Sequence, residues 1–154
     1  MAYEWQRAPY LISTDKSRLD LGAIHAFLAT VYWSQGLPRS TLERAIEHSL
    51  VFGLYKDQEQ AGFARVITDF STMAYLADVF ILEPFQGQGL GVWLIETIVS
   101  HPDLQGLRRF LLATRDAHGL YGKVGFVPLN APERWMEIWN PNVYAGARRK
   151  EDKS

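Results

Sequence analysis

The stretch LADVFILEPFQGQGLGVWLIETIV, Leu76 to Val99, limits the folds open to this chain more than any other. A run rich in β-branched and aromatic residues leads into Gly87, Gly89 and Gly91, and then into Val92, Leu94, Ile95, Ile98 and Val99 at helical spacing. The pattern predicts a strand, a tight turn and a helix that stops at Pro102. Ordered glycine costs backbone entropy, so three together mark a turn that needs positive φ or a main chain that a ligand approaches closely. The first turn of the helix presents unpaired N–H groups at the positive end of its dipole, an anion site best suited to phosphate.

Known phosphate loops differ in spacing. A Walker A loop needs Gly-Lys-Ser/Thr, which this chain lacks. A dinucleotide loop needs G-x-G-x-x-G within a βαβ unit, whereas Gly87, Gly89 and Gly91 give G-x-G-x-G after what reads as an antiparallel meander.

The meander consists of LVFGLYK, AGFARVIT and MAYLADVFIL, with a first turn at DQEQ. Ahead of it, YEWQRAPYLIST reads as an edge strand with a bend at Pro9. DLGAIHAFLATVYW reads as an amphipathic helix capped by Asp20, and STLE, Ser40 to Glu43, as a capping box opening a second helix. Behind the glycines, LRRFLLATR predicts a strand, DAHGLYGKVG a short helix ending at Gly125, and RWMEIW a closing strand. Two helices thus precede the main sheet and two lie within its second half.

With 154 residues the chain suits a single domain over 1–147, and the apolar-free end at 148–154 reads as a solvated tail. A net charge of −1 provides no field for nucleic acid or anionic lipid. No apolar run approaches a bilayer span, and MAYEWQRAPY lacks the apolar centre of a secretory signal, so a cytoplasmic location is expected and no membrane partner. The absence of cysteine excludes disulfides, thiolate metal sites and an acyl-cysteine intermediate. Aromatics make up 13% of the chain with five tryptophans, enough for a bulky core or a ring-lined pocket.

Gln86-Gly87-Gln88-Gly89-Leu90-Gly91 resembles the (Arg/Gln)-x-x-Gly-x-(Gly/Ala) signature of the GCN5-related N-acetyltransferase (GNAT) family, and HGLYGKVGF, His118 to Phe126, resembles that family's second recurrent segment. LATRDAHGLYGKVGF and DVFILEPFQGQGLGVWLI together are similar to a bacterial subgroup whose substrates are generally unassigned. The resemblance covers nearly the whole chain. It implies an α/β fold, a mostly antiparallel central sheet with one parallel, splayed strand pair and about four flanking helices. It also implies an acetyl-CoA-dependent N-acetyltransferase that moves an acetyl group directly to a primary amine of a small molecule or peptide, without a metal. The alternative reading is a CoA-binding sensor or interaction module without turnover. A homodimer is compatible with either.

Carried over to this chain, the resemblance assigns the pyrophosphate to Gln86, Gly87, Gln88, Gly89, Leu90 and Gly91, and the pantetheine arm to the backbone of Phe80, Ile81 and Leu82. Ile81 N–H would stabilise the oxyanion. Tyr121 would protonate the leaving thiolate: a thiol of pKa about 8.5 can take a proton from a well-placed phenol of pKa about 10. An ammonium of pKa about 10.4 must first lose a proton, through Asp78, His118 or a chain of waters. Asp78 could equally be a structural acid paired with Arg65 or Arg115. Gln86 stands where many members carry arginine, which removes a cation that Lys123 could partly replace. Thr114 stands where many carry asparagine. The acceptor site is expected at Tyr32, Trp33 and Arg65, with Asp69 and Trp135 nearby.

Overall fold

The structure, a computed structural model, describes residues 2–145. The tail expected at 148–154 lies outside the described residues. Six strands form one sheet in sequence order: β1 (Glu4–Arg7), β2 (Tyr10–Ser13), β3 (Leu50–Lys56), β4 (Glu59–Thr68), β5 (Met73–Ile81) and β6 (Arg109–Leu112). Neighbours are antiparallel except β5 and β6, which run parallel. A parallel pair needs a crossover, and α3 (Leu90–Val99) supplies it. The remaining α-helices are α1 (Leu21–Leu28), α2 (Arg39–Glu47) and α4 (His118–Gly122). This is the mixed α/β architecture expected from the sequence, and helical backbone appears once more at 143–145.

Strand alternation divides the core between the two faces of the sheet. Phe52, Leu54, Val66 and Leu76 pack with Trp93, Leu94 and Ile98 of α3. Val51, Phe63 and Phe80 pack on the other face with Ile24 and Leu28 of α1 and Leu42 and Ile46 of α2. The two helical layers clamp the sheet and leave the β5–β6 seam between them.

Four expectations are corrected. The opening stretch is a full hairpin, β1 paired with β2, whose turn contains Pro9. Asp20 does cap α1, accepting the Ala23 N–H at 3.0 Å, but the helix ends at Leu28 rather than Trp33. There the hydroxyls of Thr30 and Ser34 donate to the Phe27 and Leu28 carbonyls, so side chains take over the last turn's acceptors. The Ser40 capping box is not formed. Pro38 is the N-cap and fixes φ at −66°, so α2 starts two residues earlier and Glu43 pairs instead with Arg39 at 3.2 Å. RWMEIW, finally, is no strand: after a short 3-10 turn at Pro132–Arg134 the chain has no regular structure through Asn140. Its alternation was read as a strand, but a strand needs a neighbour, and among the described residues none pairs with it.

Candidate active site

β5 pairs with β6 only from Met73 to Leu76, opposite Arg109 to Leu112. Beyond Leu76 the two strands part, and the edge of β5 that faces β6 is free from Ala77 onward. A β-bulge sharpens the divergence: Phe63 of β4 faces Phe80, but Arg65 faces Ala77, so β5 carries one extra residue. Asp78 sits in that bulge with φ +56°, a left-handed conformation that Asp tolerates better than most residues.

The wedge between the strands opens into a cavity of about 680 Å3 lined by Asp78, Phe80, Ile81, Thr114 and Tyr121, with Tyr32, Trp33, Arg65 and Tyr144 around them. A smaller cavity of about 210 Å3 is lined by Gln86, Gly87, Gly89, Leu90 and Gly91. Ile81, Gly91 and Leu120 line both, so the two form one groove.

At the small end the main chain forms the site. Gly87 and Gly89 have φ of +80° and +77°, and Gly89 is the left-handed N-cap of α3. A Cβ on either would meet nothing within 4 Å, so conformation rather than space demands glycine at these two positions. Gly91 has an ordinary φ and leaves the helix surface low beside Ile81 and Leu120. Among the described residues no N–H from Gly87 to Val92 donates to a backbone carbonyl; the first such donor is Trp93, to Gly89. Six amides are therefore available at the positive end of the helix dipole. Two side chains brace the loop: Gln86 Nε2 donates to the Ile81 carbonyl at 2.8 Å, and Gln88 Oε1 accepts from the Tyr10 hydroxyl at 2.7 Å. Leu82 N–H is already bonded to Ala61. Lys123 is exposed at the far end of α4 and lines neither cavity.

At the large end side chains form the site. Arg65 Nε donates to Asp78 Oδ2 at 2.8 Å and Trp33 Nε1 donates to Asp78 Oδ1 at 3.0 Å. The Arg65 and Asp78 side chains are only 16% and 10% exposed, so this ion pair is largely shielded from solvent. The Arg115 guanidinium lies 3.8 Å from the Tyr32 ring centroid, a cation–π contact at the cavity wall. Thr114 Oγ1 accepts the Ala117 N–H at 3.1 Å, which anchors the start of α4.

Tyr121 is half-buried on α4, edge-on to Phe126. Burial pushes its phenol above the ordinary value, with a smaller contribution from Tyr32, and so keeps it protonated. His118 is exposed at the first position of α4 and is not part of either lining.

The structure thus brings together Tyr32, Trp33, Arg65, Asp78, Phe80, Ile81, Tyr121 and the glycine loop. It leaves out Asp69 and Trp135. Asp69 organises the β4–β5 turn, where the Thr72 hydroxyl and the Thr72, Ser71 and Met73 amides hold its carboxyl far below the usual range. Trp135 stacks on Arg109 at 5.1 Å. Arg115, weighed as a partner for Asp78, lies instead on the Tyr32 ring, and Tyr144, which nothing local in the sequence marks, was missed.

Comparison with known proteins accords with this geometry. Residues 3–126 match the acetyltransferase (GNAT) family. A Gibberella zeae protein whose name provisionally assigns it to the acetyltransferases is 38% identical over 77% of this chain and 79% of its own. A crystal structure from Xanthomonas campestris pv. campestris, provisionally assigned to GNAT acetyltransferases, is 48% identical, with a TM-score of 0.86 over 88% of this chain and 96% of that one. A more distant fold match is a Clostridium acetobutylicum protein, assigned by prediction to the acetyltransferases and solved with acetyl-CoA. It is 13% identical, with a TM-score of 0.59 over 90% of this chain and 96% of that one. The fold and these relatives place the chain among the acyltransferases. The chain belongs to the GNAT family of acetyltransferases.

Proposed function

We propose that this protein transfers an acetyl group from acetyl-CoA directly to a primary amine of a small molecule or peptide. The observation that carries the reading is the continuity of the free edge of β5 with the six unpaired amides at the start of α3. An extended amide-bearing arm that ends in a pyrophosphate fits this run. The backbone of Phe80 and Ile81 would pair with the arm, Leu82 would guide its exit, and Gly87 to Gly91 would bind the diphosphate. The acetyl group then lies beside Asp78 and Tyr121.

In the proposed reaction the neutral amine attacks the thioester carbonyl, forming a C–N bond and an oxyanion that faces the Ile81 amide. Collapse breaks the C–S bond, the departing thiolate takes the Tyr121 phenol proton, and the proton shed by the new amide nitrogen passes through water to restore the phenol. Asp78 is ion-paired with Arg65 and keeps further lone pairs, so a water against it can relay the proton lost by the ammonium. Trp33, Tyr32 and Arg115 form the wall that an acceptor must meet, and the rings suit a cationic amine.

Thiol release with acetyl-CoA and a panel of amines tests the proposal. The expected result is amine-dependent turnover that Tyr121→Phe depresses while acetyl-CoA affinity persists. Acetyl-CoA binding with no turnover on any amine, and no effect of that substitution, would instead support a CoA-binding module.

A further inference from the structure

We propose that the amine acceptor carries a carboxylate at its other end and that Arg115 receives it, so the substrate is an amino acid or a short peptide with a free carboxyl end. The proposal rests on the acetyl-transfer reading above and narrows its substrate class. Among the described residues the lining of the large cavity holds four charged side chains, Arg65, Asp78, Arg115 and Asp116. Arg65 and Asp78 are committed to each other at 2.8 Å in a shielded pair. Arg115 comes no nearer to Asp116 than 3.7 Å, beyond hydrogen-bond distance, with the two side chains 64% and 69% exposed. A contact of that kind between exposed charges contributes little, so the Arg115 charge is available to a ligand.

Arg115 is nevertheless held in place. Its guanidinium lies 3.8 Å from the Tyr32 ring centroid, Tyr32 meets Trp33 edge-on at 5.2 Å, and Trp33 Nε1 donates to Asp78 at 3.0 Å. Cation, two rings and acid thus form one continuous chain of contacts along the cavity wall. Stacking on Tyr32 occupies a face of the guanidinium and leaves its N–H edge free, and among the described residues that edge donates no hydrogen bond.

The two ends of this wall suit opposite charges. An acceptor lying along the rings brings its ammonium to Asp78 and its far end to Arg115. The planar fork of a guanidinium matches a carboxylate through two parallel N–H donors. One cation balances one negative charge, whereas a phosphate monoester carries nearly two, and Arg65 is already paired. The diphosphate of CoA is not the group Arg115 awaits, because Arg115 lines the large cavity and not the small one.

Thiol release from acetyl-CoA with paired acceptors tests the proposal. The probes are ω-amino acids of graded length and di- and tripeptides, each beside its carboxamide, together with aminoalkyl phosphates. Their acid is remote from the amine, so capping it changes the amine's own basicity little. In the wild type kcat/KM is expected to favour the free acid over its carboxamide by about tenfold, the scale of a charge-assisted hydrogen bond. That preference should shrink as ionic strength rises, and the acids should exceed the phosphates. Arg115→Met is expected to bring the acid-to-carboxamide ratio near one through KM, and Arg115→Lys to restore part of it. A wild-type ratio near one, a ratio that Arg115→Met leaves as it was, or a preference for the phosphates overturns the proposal. Turnover confined to amines without an acid overturns it while the acetyl-transfer reading stands; no turnover with any amine removes that reading and this proposal together.

Discussion

The two ends of the groove are built from different materials. At the α3 end the groups facing the cavity belong to the main chain: six amides between Gly87 and Val92, presented because two glycines hold φ near +80°. At the β5 bulge they belong to side chains, and each depends on a partner far away in sequence. Trp33 meets Asp78 across 45 positions, Arg65 meets it across 13, and Arg115 reaches back to Tyr32. A main-chain site recognises a ligand common to many proteins and tolerates change in its side chains. A side-chain site is where acceptor specificity can diverge, because single substitutions alter its charge and shape.

Substitutions at each end should therefore separate. The largest effect is expected at Tyr121, which belongs to the chemistry rather than to either wall. Tyr121→Phe should lower kcat by about 100-fold, the scale of a lost general acid, with acetyl-CoA affinity within a factor of two or so. Because burial raises the phenol's pKa, the wild type should keep this acid below that raised value and lose it as pH rises through it. The alkaline limb of the pH–rate profile should therefore lie above pH 10 or so and vanish in Tyr121→Phe.

At the side-chain end, Arg65→Met leaves Asp78 as an unpaired, largely buried carboxylate. Unfolding in denaturant should show a loss of about 2–4 kcal/mol, together with a weakened acceptor KM and little change in acetyl-CoA binding. At the main-chain end, Gly89→Val forces a β-branched residue to φ +77°. It should weaken acetyl-CoA by roughly tenfold and leave the Arg65–Asp78 pair intact. Equal losses of both ligands in either variant would erase the distinction between the ends. Gln86→Arg should have the smallest effect. It adds a cation near the diphosphate but gives up the bond to the Ile81 carbonyl. Affinity should rise by at most about fivefold, with a steeper salt dependence.

The same contrast explains what could be read from sequence. The glycine turn, the helix it opens and the strands of the meander were legible because each is encoded within a few residues of itself, whereas Tyr121 was singled out only by the family resemblance of HGLYGKVGF. The Arg65–Asp78 pair was weighed as one outcome for that acid, but its Trp33 bond and the bulge that gives Asp78 a positive φ come from the register of β4 against β5. The capping box failed because Pro38, two residues upstream of Ser40, fixed the entry to α2 first. The closing strand failed for a different reason. Alternation in RWMEIW offers two distinct faces, while pairing is a property of whatever lies alongside.

The central claim is that the glycine-opened start of α3 holds the diphosphate of acetyl-CoA. Titration calorimetry of acetyl-CoA into the wild type, Gly89→Val and Arg65→Met measures it directly. The account predicts one site per chain, binding weakened about tenfold in Gly89→Val and nearly unchanged in Arg65→Met. Absence of acetyl-CoA binding to the wild type, or binding indifferent to Gly89→Val, would contradict it.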